Sequence, residues 1–383
     1  MKQPTVRCGA DRIMEYKDLF QGRRIGLVTN PSGVRCDFIS TADYLSRHFN
    51  LAAMYAPEHG VRGNAQDGQS IGSYTDETTG VTVHSIYGEN RRPSAESMEG
   101  IDLMVYDIQD IGSRFYTYIY SMANCMEECA KKGIPFVVLD RPNPIGGLSP
   151  EGSGLEDECR SFIGMYPIPQ RYSLTCGEIA NLFNKEYGMG AQLHIVPMGG
   201  WKRKMLWNDT GLPWINPSPN IVSPEGALLY NGTALFEGTN LSEGRGTTRP
   251  FEYIGAPWIN PWRLADTMNA KRLPGVRFRP LYFTPMFHKH KDTLCGGVQI
   301  HVTEPEKVRP WAMGLHLLLA AKEQNETEFR FTAPRHEIGD FTVDLMYGSA
   351  KLREGALLEE LLSESEQTAQ AFLLIWRQYQ LYE

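Results

Sequence analysis

Short apolar runs alternate with helical patterns through the first half of this 383-residue chain. Arg24-Ile-Gly-Leu-Val-Thr-Asn30 reads as a strand, and the spacing of apolar positions predicts a helix over about residues 40–49. Residues 51–56 predict a second strand. Residues 81–87 alternate as a half-exposed third. Residues 102–106 predict a fourth, followed by a helix over 117–132 that Gly133 closes. Residues 134–139 are a fifth, and a helix over 175–187 stops at Gly188. Strand–helix repetition of this kind predicts an α/β fold built on a Rossmann-like, doubly wound, mostly parallel sheet.

The pattern changes over residues 211–248, which are rich in Pro, Gly, Asn and Ser. So long an irregular run reads as a linker or a set of functional loops. Beyond it come a helix over 261–271, strand-like runs at 276–284 and 294–303, a helix near 309–323 and a final helix over about 355–382. That order predicts a second, smaller α+β domain. The boundary falls near residue 222, giving domains 1–222 and 223–383.

Composition narrows the function classes. Hydrophobic residues are 42% and charged residues 22% of the chain, the balance of a globular protein. A formal charge of −7 and a pI near 5.8 argue against a nucleic-acid partner, which calls for a basic surface excess. An anionic ligand would instead need a local group of Arg residues. Apolar runs such as 136–139 and 317–321 are far below membrane-spanning length. Residues 1–7 hold no apolar leader core, so the chain as written reads as cytoplasmic, or as periplasmic or secreted if a signal was removed. The seven Cys are odd in number and scattered, and Cys125 and Cys129 have no nearby His; they read as buried thiols and not as a metal site. Oligomeric state has no signature in the sequence.

Ligands of open α/β sheets bind beyond the carboxyl ends of the strands. There the first strand ends in Thr29-Asn30-Pro31-Ser32-Gly33, and the second in Pro57-Glu58-His59-Gly60-Val61-Arg62-Gly63. The fourth delivers Asp107, Gln109, Asp110, Arg114 and Tyr116, and the fifth Asp140-Arg141-Pro142-Asn143-Pro144. Glu58, held between Pro57 and Gly60, reads either as a partly desolvated general acid or as a turn residue binding loop amides. His59 could orient it, bind substrate or cap the loop. Asp107 and Asp110, with Arg114 four residues further on, read as a helix cap and ion pair or as a sugar-hydroxyl and carboxylate grip. Tyr116 and Tyr118 read as a sugar platform or as core. The densest polar run is Phe236 to Pro250, with Glu237, Asn240, Glu243, Arg245 and Arg249. Its glycines at 238, 244 and 246 would let the backbone approach a ligand. A phosphate cradle is disfavoured, because the P-loop Lys and a GxGxxG after a strand are both missing.

These segments together resemble the NamZ-like exo-β-N-acetylmuramidase family, long described as a domain of unknown function. The matching pieces are Gly26-Leu-Val-Thr-Asn-Pro-Ser-Gly-Val34, Ala56-Pro-Glu-His-Gly-Val-Arg-Gly63, Asp107-Ile-Gln-Asp-Ile-Gly-Ser-Arg-Phe-Tyr-Thr-Tyr118 and Leu139-Asp-Arg-Pro-Asn-Pro-Ile-Gly-Gly147. Pro217-Ser-Pro-Asn220 and Phe236 to Pro250 follow. Each is modest alone; in this order they are specific. The resemblance implies a Rossmann-like N-terminal domain, a smaller C-terminal domain and a cleft between them. It also implies release of terminal N-acetylmuramic acid from peptidoglycan fragments, without metal or nucleotide cofactor.

Glycoside cleavage calls for two carboxyl groups, one protonated and one ionised. Glu58 is the first choice for one and Glu243 for the other, with Glu237 and Asp110 in reserve. Arg62, Arg114 and Arg245 are the cations offered to the lactyl carboxylate of a muramyl saccharide. Asn30, His59, Asp107, Asp110, Tyr116, Asn143, Asn220 and Asn240 complete the expected binding set. The rivals are a non-catalytic binder of peptidoglycan fragments and an amidase or esterase, the latter lacking a G-x-S-x-G elbow.

Overall fold

The computed structural model describes residues 5–63, 73–88, 91–333 and 341–383. Met1–Pro4, part of the segment read above for a leader, lie outside the described residues. The first sheet has seven strands: β1 (Arg24–Thr29), β2 (Asn50–Ala56), β3 (Tyr74–Thr75), β4 (Thr82–Ser85), β5 (Leu103–Asp107), β6 (Phe136–Leu139) and β7 (Leu193–Val196). Their spatial order is β3-β4-β2-β1-β5-β6-β7. Every pairing is parallel except β3 with β4. The central strands β5 and β6 are buried at every position, which is why they read as unbroken apolar runs. Strand order reverses at β1, so the crevice of the doubly wound sheet opens beside the β1 and β5 tips.

Three helices cross between these strands. α1 (Thr41–His48) starts at Ser40, whose hydroxyl accepts from the Asp43 amide. α2 (Tyr118–Lys132) ends at Gly133 with φ 67°. α3 (Cys176–Glu186) opens with a reciprocal Thr175–Glu178 box.

The second half holds α4 (Trp207–Thr210), α5 (Pro224–Thr233), β8 (Tyr253–Ala256), α6 (Pro261–Ala270), β9 (Val276–Phe283) and β10 (Cys295–Val302). It continues with α7 (Pro310–Gln324), α8 (Thr342–Tyr347), α9 (Lys351–Glu354) and α10 (Leu358–Trp376). Its three strands form a separate antiparallel sheet, β8-β10-β9. The predicted irregular stretch therefore contains a helix. Ser223 caps α5 by accepting from the Gly226 amide, and Pro224 starts it. A Cβ at Gly232 would stand 1.8 Å from the Pro310 carbonyl oxygen, with Gly314 of α7 just beyond. The glycine that disguised the helix is what lets α5 and α7 touch.

A continuous apolar core joins the two halves. Met104, Phe136 and Phe183 of the first belong to the same buried cluster as Leu229, Trp311 and Phe372 of the second. A second cluster, with Ile25, Leu27, Leu45 and Met54, fills the other face of the large sheet. The predicted final helix breaks at Trp376, and the tail returns to the first half. There Leu381 N donates to Glu178 at 2.7 Å and the Tyr382 hydroxyl to Asp140 at 2.5 Å. Among the described residues no helix is long and apolar enough to cross a membrane.

Candidate active site

β2 runs straight into Pro57-Glu58-His59-Gly60. His59 and Gly60 both take φ 75°, the left-handed region. That is ordinary for Gly60 and uncommon for His59, and it turns the chain sharply after Glu58. His59 is buried and Glu58 half-buried. The Tyr87 hydroxyl, from the segment after β4, donates to Glu58 Oε1 at 2.8 Å.

Across the molecule, the 236–250 run folds over its own charges. Glu243 has no exposed surface. Lys289 Nζ donates to its Oε2 at 2.8 Å, His288 Nδ1 stands 3.2 Å from Oε1, and Arg245 Nε is 3.6 Å from the same oxygen. Burial alone would raise the Glu243 carboxyl, but the Lys289 charge beside it, helped by His288, outweighs burial and holds it well below the usual carboxylate range. Glu243 is an anion. Arg245 also holds Glu237, at 2.8 Å through Nη2, and lies over the Phe251 ring, 5.2 Å from its centre.

Tyr230 of α5 ties the two regions together. Burial pushes its hydroxyl up, and the charges of Glu237, Glu58 and Glu243 push it further, with Arg245 opposing them. Charges from the β2 tip and from the 236–250 run thus both act on this one hydroxyl. Tyr230 packs edge-on against Phe251 and Tyr116, with ring centres 4.7 and 6.0 Å away.

Several expected ligand contacts are spent inside the protein. Arg114 is fully buried. Its guanidinium donates to five carbonyl oxygens, those of Ser153, Gly154 and Ile168 and those of Met346 and Tyr347 in α8, at 2.9–3.2 Å. It joins the halves and offers no face to a saccharide. Arg62 binds Asp43 at 2.7 Å and Asp76 at 2.9 Å. Asp107 is buried between Arg141, at 2.6 Å, and Thr41, at 2.5 Å. Tyr116 is a core aromatic against Tyr118, 4.9 Å away, and so not a sugar platform.

The asparagines shape loops. Asn30 accepts from Ser32 N and donates to Pro217 O, both at 2.9 Å, which pins the loop bearing half-buried Asn220. Asn143 donates to Leu174 O at 2.9 Å. Asn240 clasps Glu328 O and Arg330 N at 2.8 and 2.9 Å. Asp110 accepts from the Tyr172 hydroxyl and from Gly112 N, and burial pushes it up to about 6. The loop glycines also differ from expectation. A Cβ at Gly238 would meet Val343 N at 2.6 Å, and one at Gly246 would meet Phe287 O at 2.4 Å, so these positions serve close packing of the protein on itself.

Tyr87, Tyr230, His288 and Lys289 were not anticipated. Tyr230 lay in an unrecognised helix. The His288-Lys289-His290 triplet was legible as a basic loop between two predicted strands. Among the described residues no cluster of three or more His, Cys, Asp or Glu is placed to hold a metal ion.

A doubly wound sheet and a smaller domain with its own antiparallel sheet define a two-domain α/β protein. The chain matches the N-terminal family of exo-beta-N-acetylmuramidase NamZ over residues 25–225 and its C-terminal family over 228–382. It belongs to the NamZ family. It is 46% identical to the peptidoglycan beta-N-acetylmuramidase NamZ of Bacillus subtilis (strain 168), covering 100% of this chain and 92% of that protein. Two crystal structures of DUF1343 family proteins from Bacteroides fragilis NCTC 9343 share the fold. One is 37% identical with a TM-score of 0.91, covering 100% of both chains; the other is 28% identical with a TM-score of 0.79, covering 99% of both.

Proposed function

We propose that this chain is an exo-acting glycoside hydrolase that releases terminal N-acetylmuramic acid from peptidoglycan fragments. The observation that carries the reading is Glu58 on the β2 tip, half-buried and held by the Tyr87 hydroxyl at 2.8 Å, in a member of the NamZ family. Hydrolysis of a glycosidic bond uses one proton donor and one anion. Glu58 is the donor, set on the strand tip by the His59–Gly60 turn and held by Tyr87. Glu243 is the anion. Having no exposed surface, it acts on the oxocarbenium-like transition state through its field and its neighbours rather than by contact. Of the three arginines considered, Arg114 has no surface to offer, while Arg62 and Arg245 each keep part of the side chain exposed beside their carboxylate partners. Arg245, whose charge acts on Tyr230 together with that of Glu58, is the one assigned to the lactyl carboxylate.

The test is release of chromophore from a chromogenic N-acetylmuramide and from the matching N-acetylglucosaminide. The wild type is expected to cleave the muramide in preference, and Glu58→Gln to lower kcat by roughly 10²–10⁴, the usual contribution of a general acid. Release from neither substrate by the wild type would remove the reading.

A further inference from the structure

Glu243 has no exposed surface, yet hydrolysis needs a group beside it that can meet water or sugar. The loop between β9 and β10 provides one. His288 stands with Nδ1 3.2 Å from Glu243 Oε1, and 33% of its side chain is exposed. The residue after it turns the other way: Lys289 Nζ donates to the carbonyls of Phe236 at 2.7 Å and Leu241 at 3.1 Å, and to Glu243 Oε2 at 2.8 Å. The imidazole of His290 meets the carbonyl of Asn240 at 2.6 Å. The loop is thus fastened to the 236–243 segment immediately after His288. Its backbone is unusual, with His288, His290 and Asp292 at φ 69°, 55° and 58°. Holding non-glycine residues there takes surrounding structure to enforce it, and the outcome is that His288 stays at the surface while Lys289 is drawn inward.

We propose that His288 is a further catalytic residue, the general base for the hydrolytic water, with Glu243 as its positioning carboxylate and Lys289 as the clamp on that carboxylate. The proposal rests on the glycosidase reading above. An anion 3.2 Å from Nδ1 leaves Nε2 as the nitrogen that faces away from the carboxylate, and balances the charge of the imidazolium that forms. In the step itself the C1–O bond to the leaving sugar breaks, and its electron pair stays on that oxygen, which receives the Glu58 proton. The water oxygen forms its bond to C1, and the proton that water loses passes to His288 Nε2. Solvent then returns a proton to Glu58 and takes one from His288, so atoms and charge balance over the cycle. A single displacement with Glu58 as acid and His288 as base inverts the configuration at C1, so the proposal predicts that a β-linked muramide is released as the α-anomer.

The test uses the full chain and the chromogenic muramide. His288→Gly removes the ring, and glycine takes φ 69° without strain; Asn, which also tolerates that region, serves as a second folded variant. Both are expected to lose roughly 10²–10⁴ in kcat. Added imidazole is expected to raise His288→Gly at least about tenfold, a rescue that a structural role would not produce, and to leave His288→Asn unchanged. NMR of the first product should show the α-anomer. Activity of His288→Gly within about threefold of wild type, indifference to imidazole, or β-anomer first would each overturn the assignment. The wild-type control separates two failures: no release by the wild type defeats the hydrolase reading and this proposal with it, whereas release by His288→Gly at close to the wild-type rate defeats this proposal alone.

Discussion

At the scale of single residues, the site is organised by a cation that the chain places under its own anion. Lys289 donates to the carbonyls of Phe236 and Leu241 and to Glu243 with the three N–H groups of one ammonium, and by doing so keeps a fully buried carboxyl charged. Removing one partner of a buried pair leaves the other uncompensated, at a cost of about 3–5 kcal/mol. Lys289→Met should therefore lower unfolding free energy by that order in urea at pH 7. The pH dependence carries a sign. Glu243 is held below its ordinary value, so its contribution is fully present above the unfolded carboxylate range and is lost only as pH falls through the depressed value. Without Lys289, burial dominates and Glu243 protonates at a higher pH. Urea midpoints taken from pH 7 down to pH 4 should show that the Lys289→Met deficit shrinks as the acid range is entered, because a protonated Glu243 no longer needs the ammonium. A deficit constant with pH would mean that Lys289 acts only through the carbonyls.

At the scale of elements, what the sequence revealed depended on whether a signal was local. α2 announced itself through apolar spacing and Gly133, and α3 through Thr175 and Glu178; both are features of neighbouring residues. Arg114 did not, because its partners at Ser153, Ile168 and Tyr347 are distant in sequence, and an arginine that joins two halves looks in sequence like one that grips a ligand. Glu58 and Glu243 stood out as acids in glycine-punctuated loops, whereas Tyr230 and His288 acquire meaning only from what the fold sets beside them. α5 was hidden in the Pro- and Gly-rich run, where Gly232 counted toward an irregular segment although it is a contact. Gly232→Ala tests that. A Cβ placed 1.8 Å from the Pro310 carbonyl oxygen forces α5 and α7 apart and should destabilise by at least about 1–3 kcal/mol, despite the better helix propensity of alanine. Denaturant unfolding reads it, and a neutral or stabilising effect would show that the two helices do not need to touch. Since Tyr230 lies on the same helix, kcat should fall as well.

At the scale of the whole molecule, the two halves are held by a shared core, by Arg114 and by the returning C-terminal tail, which sets Tyr382 on Asp140. Asp140 is buried at the β6 tip and accepts from Arg141 N, Thr175 Oγ1, Gly177 N and the Tyr382 hydroxyl. Burial pushes its carboxyl up to about 6 in spite of those donors. A carboxyl raised on folding binds its proton more tightly in the native state, so its contribution to stability declines as pH climbs from about 4 to about 6. Tyr382 opposes that decline by donating to the ionised form, so its removal should matter most where Asp140 is charged. Tyr382→Phe is expected to cost about 1.5–3 kcal/mol at pH 8, the range for a hydrogen bond to a charged group, and clearly less at pH 4.5. The phenol also accepts from Met198 N at 3.0 Å, and that loss is common to both pH values. Asp110, which titrates in the same range, is present in both proteins and cancels from the comparison. The difference between the two deficits, measured by urea unfolding of both proteins at both pH values, therefore isolates the Asp140 contact. Equal deficits would mean that the hydroxyl matters through Met198 N and not through the charge at the strand tip.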